Sequence, residues 1–151
     1  MLLTTARNGK ANVMTMSWHT MIDFEPPIVG CVVSNRNLTF NILKATKECV
    51  INTGRQGCGM WEYVSPSVLN LSISPTAAAS KVNAPLINEC YANLECRIVD
   101  ARMAPKYNFF ILEVIKAWID PERKQPRTIH HLGRGVFMVA GKTIKLSSKM
   151  K

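Results

Sequence analysis

Ile28-Val29-Gly30-Cys31-Val32-Val33 runs straight into Ser34-Asn35-Arg36-Asn37 and then into Leu38-Thr39-Phe40-Asn41. Six apolar residues in a row, preceded by Pro26-Pro27, suit a strand buried on both faces. The polar quartet is turn and N-cap chemistry. From Leu38 to Ala45 the spacing is helical, with Leu38, Ile42 and Ala45 on one face. A strand that delivers a polar turn to a helix N-terminus also makes a place for an anion. The first N–H groups of the helix have no acceptor of their own, and the helix dipole favours negative charge there. Arg36, with the hydroxyls of Ser34 and Thr39, would complete a phosphate cradle. The plain alternative is ordinary N-capping by Asn37.

Upstream, Leu2 to Ala6 and Ala11 to Ser17 are extended runs joined by Arg7-Asn8-Gly9-Lys10, so the opening reads as a β-hairpin with Asn-Gly turn chemistry. Downstream, Cys49 to Asn52 is another strand. Residues 54–80 show neither helical nor strand period and are interrupted by Gly54, Gly57, Gly59, Pro66 and Pro75. Tyr91 to Val99 alternates, with Leu94, Cys96 and Ile98 on one face and Glu95 and Arg97 on the other. Asn108 to Ile119 is a long apolar strand, Pro121 to Arg127 a basic loop, and Gly135 to Val139 a last short strand. Many strands, few helices and no internal repeat predict a mainly β fold, a barrel with a few short helices.

The chain has 151 residues, a length that suits one domain spanning 1–151, and its 47% hydrophobic and 19% charged residues are an ordinary globular composition. No apolar run approaches the roughly 20 residues of a membrane helix. The first residues lack the pattern of a signal peptide, so a cytoplasmic location is expected and the sequons at Asn37 and Asn70 are read as chance. Cys31, Cys49, Cys58, Cys90 and Cys96 form no C-x-x-C pair, and their odd number argues for reduced thiols packed as small hydrophobes. His19, His130 and His131 have no metal-ligand spacing, so no metal is expected. Gly57-Cys58-Gly59 and Gly133-Arg134-Gly135 lack the third glycine of a dinucleotide fingerprint, and there is no P-loop. Nor do the histidines sit in any Ser/His/Asp motif, so no side chain is assigned a catalytic role. Twelve of the nineteen Lys and Arg, but five of the ten Asp and Glu, lie in residues 91–151. That skew suits an anionic partner, whether nucleotide, nucleic acid or membrane surface, or else a solvated surface.

Asn12-Val13-Met14-Thr15-Met16-Ser17-Trp18, then Pro26-Pro27, then Val33-Ser34-Asn35-Arg36-Asn37-Leu38-Thr39 resembles the flavin reductase-like, FMN-binding split-barrel family, which includes flavoredoxin. The strand around Leu94-Glu95-Cys96, the strand from Phe109 to Ile119 and the His130-His131-Leu132-Gly133-Arg134-Gly135 ending also look like this family. The resemblance implies a homodimeric split β-barrel that binds FMN near the subunit interface. It implies that Asn12, Val13, Met14, Thr15, Ser17 and Trp18 line the flavin ring, with backbone groups of Val13 to Thr15 at its polar edge; the plain alternative for Trp18 is barrel core. It places Ser34, Arg36 and Thr39 at the phosphate, Asn52 as a further flavin contact, and His131 toward the flavin or nicotinamide. Residues 53–74 depart from the family pattern, which has a helix after the strand that ends at Asn52.

The function so implied is hydride transfer from NAD(P)H to flavin. Two other readings are carried: a flavoredoxin-like FMN protein reduced by a protein partner, and a basic β-barrel that binds nucleic acid. Aromatic residues make up only 7% of the chain, a poor supply for a base-stacking platform.

Overall fold

The computed structural model describes residues 1–54, 76–122, 126–133 and 136–144. Cys58, Asn70 and nearly all of the atypical 53–74 stretch lie outside the described residues. In chain order the elements are β1 (Leu2–Arg7), β2 (Lys10–Thr15), β3 (His19–Phe24), β4 (Pro27–Val32), α1 (Leu38–Thr46), β5 (Glu48–Thr53) and β6 (Thr76–Ala77). They continue with β7 (Leu86–Ile87), β8 (Ala92–Asp100), α2 (Ala104–Tyr107), β9 (Phe109–Ile119), β10 (Ile129–Gly133) and β11 (Val136–Val139). The mainly β architecture with short helices is as expected.

Seven strands form one sheet in the order β2-β1-β5-β8-β9-β4-β3. Its two edges are consecutive in the chain and joined only by Met16-Ser17-Trp18. A flat sheet would hold those edges about 29 Å apart at roughly 4.8 Å per strand step, whereas the link from Thr15 to His19 can reach only about 14 Å. The sheet therefore curls until its edges nearly meet, which gives a barrel with one seam. Two residues fasten the link across that seam. The Met16 N–H donates to the Met1 carbonyl at 2.8 Å, and the Trp18 carbonyl accepts from the Val32 N–H at 3.0 Å.

The hairpin expected from Asn-Gly is present. Asn8 and Gly9 both take positive φ, 51° and 72°, and Arg7 pairs with Lys10. These are the two left-handed positions that a two-residue hairpin turn requires. Leu3, Cys31, Cys49, Ile51, Cys96, Phe110 and Leu112, from strands spread across the sheet, meet Phe40 and Leu43 of α1 in one buried core. The rings of Phe40 and Phe110 pack edge to face with centroids 5.2 Å apart. All four described cysteines are buried, and burial pushes the Cys31 thiol up to about 12.

Four expectations are corrected. The buried face of α1 is Thr39, Phe40, Ile42 and Leu43, while Leu38 is 59% exposed and Ala45 is exposed too. The helix lies with Phe40 toward Phe110, and the lone Leu38 pattern could not compete with that aromatic pairing. His19–Phe24 and Ile129–Gly133 are strands that the sequence reading left unassigned. Trp18, one of whose readings was barrel core, is 70% exposed.

The fourth correction is Glu95, read as facing outward with Arg97. It is fully buried. The segment 76–90 covers part of the outer face of β5 and β8, with Val50, Ala84 and Leu86 packed together beneath it, so the polar face of β8 is interior at Asn93 and Glu95 while Arg97 stays exposed. Glu95 Oε1 accepts from the Ser80 N–H (3.0 Å), the Ser80 hydroxyl (3.1 Å) and Trp118 Nε1 (2.6 Å). Its Oε2 accepts from the N–H groups of Lys81 (2.6 Å) and Val82 (3.2 Å). Nearby, Glu48 Oε1 takes the N–H and the side-chain amide of Asn83. Two carboxylates thus tie the 80–83 loop to the barrel wall.

Gly30 sits where β4 is flanked by β9 and β3. A Cβ there would stand 2.5 Å from Cζ of Phe109 and 3.0 Å from Cδ1 of Ile22. Gly30→Ala is expected to cost about 1–3 kcal/mol of stability, as overpacking does. A urea midpoint unchanged from the parent would refute this.

Candidate functional site

The seam of the barrel opens into a groove of about 460 Å3, lined by Met14, Thr15, Met16, Ser17, Trp18, Val32, Ser34, Asn37 and Leu132. Its walls come from the end of β2 and the seam link, the end of β4 with the turn into α1, and β10. Apolar surface dominates, with hydroxyl and amide groups at one end. This is the usual make-up of a cofactor site.

The polar end is the strand–turn–helix of residues 28–46. The Val33 N–H donates to the Asn108 carbonyl at 2.9 Å, which holds the strand end, and the Asn37 N–H donates to the Ser34 carbonyl at 2.9 Å, which closes the turn. Ser34 Oγ accepts from the Arg36 N–H at 3.3 Å. Asn37 occupies the N-cap position with extended backbone, yet its side chain makes no capping bond, and there is no acidic residue in the first turn. Its amide instead lies 3.9 Å from Met14 Sδ, across the groove. The capping alternative is therefore not realised. The N-terminus of α1 keeps its free donors beside Arg36, which is exposed and in no ion pair among the described residues. Such a set fits a phosphate group.

Of the residues singled out from sequence, Met14, Thr15, Ser17, Trp18 and Ser34 line the groove, and Arg36 stands on the turn between Ser34 and Asn37. Others are placed behind it. Asn12 Nδ2 donates to Thr39 Oγ1 at 2.8 Å and to Thr5 Oγ1 at 3.4 Å, so it ties β2 to α1, and Thr39 is itself buried. Val13 packs against the cluster of Leu2, Ile87, Cys90 and Ile129. Because β2 is an edge strand, its outward backbone groups have no ladder partner among the described residues. Asn52 is fully buried, and its amide donates to the carbonyls of Leu2 and Val50 and to Thr4 Oγ1, away from the groove. His131 lies on β10 opposite Phe137, and its side chain is outside the described residues. Met16, Val32 and Leu132 were not foreseen in the lining. Leu132 carried no local signal, for it arrives from the far end of the chain.

The model of the flavin reductase like domain matches residues 1–137. The chain belongs to this family. Among curated proteins, it is 27% identical to the uncharacterized protein YddH of Escherichia coli K12, over 91% of this chain and 83% of the other. It is 29% identical to an uncharacterized protein of Archaeoglobus fulgidus, over 70% and 64%. Among solved structures, an FMN-binding domain of a flavin reductases-like enzyme from Shewanella baltica superposes with a TM-score of 0.83, at 22% identity over 97% of this chain and 87% of that one. Flavoredoxin from Methanosarcina acetivorans gives 0.78, at 24% identity over 98% and 87%. The NADH:FAD oxidoreductase SgcE6 of Streptomyces globisporus, in complex with NAD and FAD fragments, gives 0.72, at 22% identity over 85% and 76%. The fold is thus the FMN-binding, flavin reductase-like one.

Proposed function

We propose that this chain binds FMN in the seam groove and acts as an NAD(P)H-dependent flavin reductase. One observation supports the reading above others: the uncapped N-terminus of α1 and the unpaired Arg36 stand at the polar end of a groove walled by Met14, Trp18 and Leu132. In this reading Ser34, Arg36 and the first N–H groups of α1 hold the phosphate. Thr39, its hydroxyl engaged by Asn12, stiffens the cradle from behind. Met14, Thr15, Ser17 and Trp18 seat the ring, and the open edge of β2 offers Val13 to Thr15 backbone groups to its polar side. Bound there, the flavin supplies the hydride-accepting chemistry, while the chain contributes proximity, orientation and exclusion of water.

The same proposal includes a second copy of the chain. Among the described residues the outer edge of β3 has no strand partner and carries exposed Met21, Ile22 and Phe24, the last 79% exposed, and Trp18 continues that surface. An apolar open edge of this kind needs cover, and a twofold dimer provides it from one surface patch. The purified protein is expected to take up FMN stoichiometrically, to release it on denaturation, to scatter light as a dimer, and to oxidise NAD(P)H when free flavin is added. A protein that takes up no FMN would overturn the reading. One that takes up FMN but is reduced only by another protein would make it a carrier instead.

A further inference from the structure

A second recess, of about 300 Å3, lies on the other side of the seam link and shares Met16 and Ser17 with the groove. Met16 and Ile129 form its apolar wall. Its polar side chains are the hydroxyls of Ser17, Thr53 and Thr128 and the imidazoles of His19 and His130, and Met1 also lines it. Thr128 Oγ1 and His130 Nε2 are 3.2 Å apart, so these two satisfy each other. His19 is different. The Ser17 backbone bears on its ring, while Nδ1 is buried and makes no hydrogen bond of good geometry among the described residues, a condition that native proteins rarely leave unanswered.

We propose that this recess binds a small uncharged aromatic molecule bearing one hydroxyl or carbonyl group, with that group bonded to His19 Nδ1 and the ring seated on Met16 and Ile129. The volume is at the low end for ligand sites and suits a single ring. The thioether of Met16 is a good surface for an aromatic face. Burial holds the His19 imidazolium below its ordinary range, so the ring is neutral near pH 7. A neutral imidazole offers a donor at one nitrogen and an acceptor at the other, which matches an uncharged hydroxyl or carbonyl better than an anion.

The recess is built by the chain alone, so its occupancy does not depend on the flavin reading. The test is a titration of the purified protein with phenol and with acetophenone, with and without added FMN, following the His19 ring signals by NMR. Saturable shifts of that ring are expected in both states. His19→Phe keeps the ring but loses the nitrogen and is expected to weaken binding about twofold to tenfold, the range for one hydrogen bond; His19→Gln, which restores a donor and acceptor, should recover part of it. Absence of any saturable shift, or equal affinity in parent and His19→Phe, would overturn the proposal. Because the readout works without FMN, a failure of the flavin reading leaves it intact.

Discussion

Glu95→Ala is expected to lower stability by about 3–5 kcal/mol, the range found when one side of a buried charge network is removed. Five donors converge on this carboxylate: three backbone N–H groups from residues 80–82, the Ser80 hydroxyl and the indole of Trp118. Removing it takes the shared acceptor from five part-buried donors and releases the loop that covers this stretch of β8. Burial by itself pushes the Glu95 carboxyl up, but the donors from Ser80, Trp118 and Lys81 outweigh it and hold the group below its ordinary 4.5. A folded-state value below the unfolded one means that the contribution is fully present above about pH 4.5. It is lost as pH falls from there through the folded value. Glu95→Gln keeps the volume with half the acceptors, and is expected to be less stable at pH 7 and less sensitive to acid between pH 5 and 3. Urea unfolding across that range measures both. A midpoint for Glu95→Ala equal to the parent at pH 7 would refute the role.

The second large effect is on the cofactor. Arg36→Ala is expected to weaken FMN binding about tenfold to a hundredfold, as loss of a charge-assisted bond of roughly 1.5–3 kcal/mol requires. Riboflavin, which has no phosphate, should bind equally well to both proteins. Fluorescence titration of each flavin against parent and variant gives the comparison directly. Arg36 is exposed and has no ion pair among the described residues, so its removal leaves nothing unpaired inside the protein and folding is not in question. Equal losses for FMN and riboflavin would show that Arg36 does not read the phosphate.

Local chemistry carried much of this protein in its sequence. The Asn8-Gly9 turn, the strand at 28–33 and the turn into α1 depend on neighbours a few residues away, and each is where the sequence puts it. The stretch from Asn12 to Trp18 was legible for the same reason, being short, contiguous and patterned. Burial was not legible, because it depends on what arrives from elsewhere in the chain. Alternation gave Glu95 to solvent, yet the loop of residues 80–83 lies over it. Thr39 and Asn52 have the polar side chains of binding residues, yet Asn12, Leu2, Thr4 and Val50 claim them for the interior. Leu132 carried no local signal at all, and only the fold brought β10 to the groove. Sequence alone determined the opening hairpin and the strand, turn and helix of residues 28–46, since those preferences are short-range. Tertiary structure alone decided which face of each is inside, because a side chain's surroundings are set by contacts that close only when the seven strands curl and their edges meet.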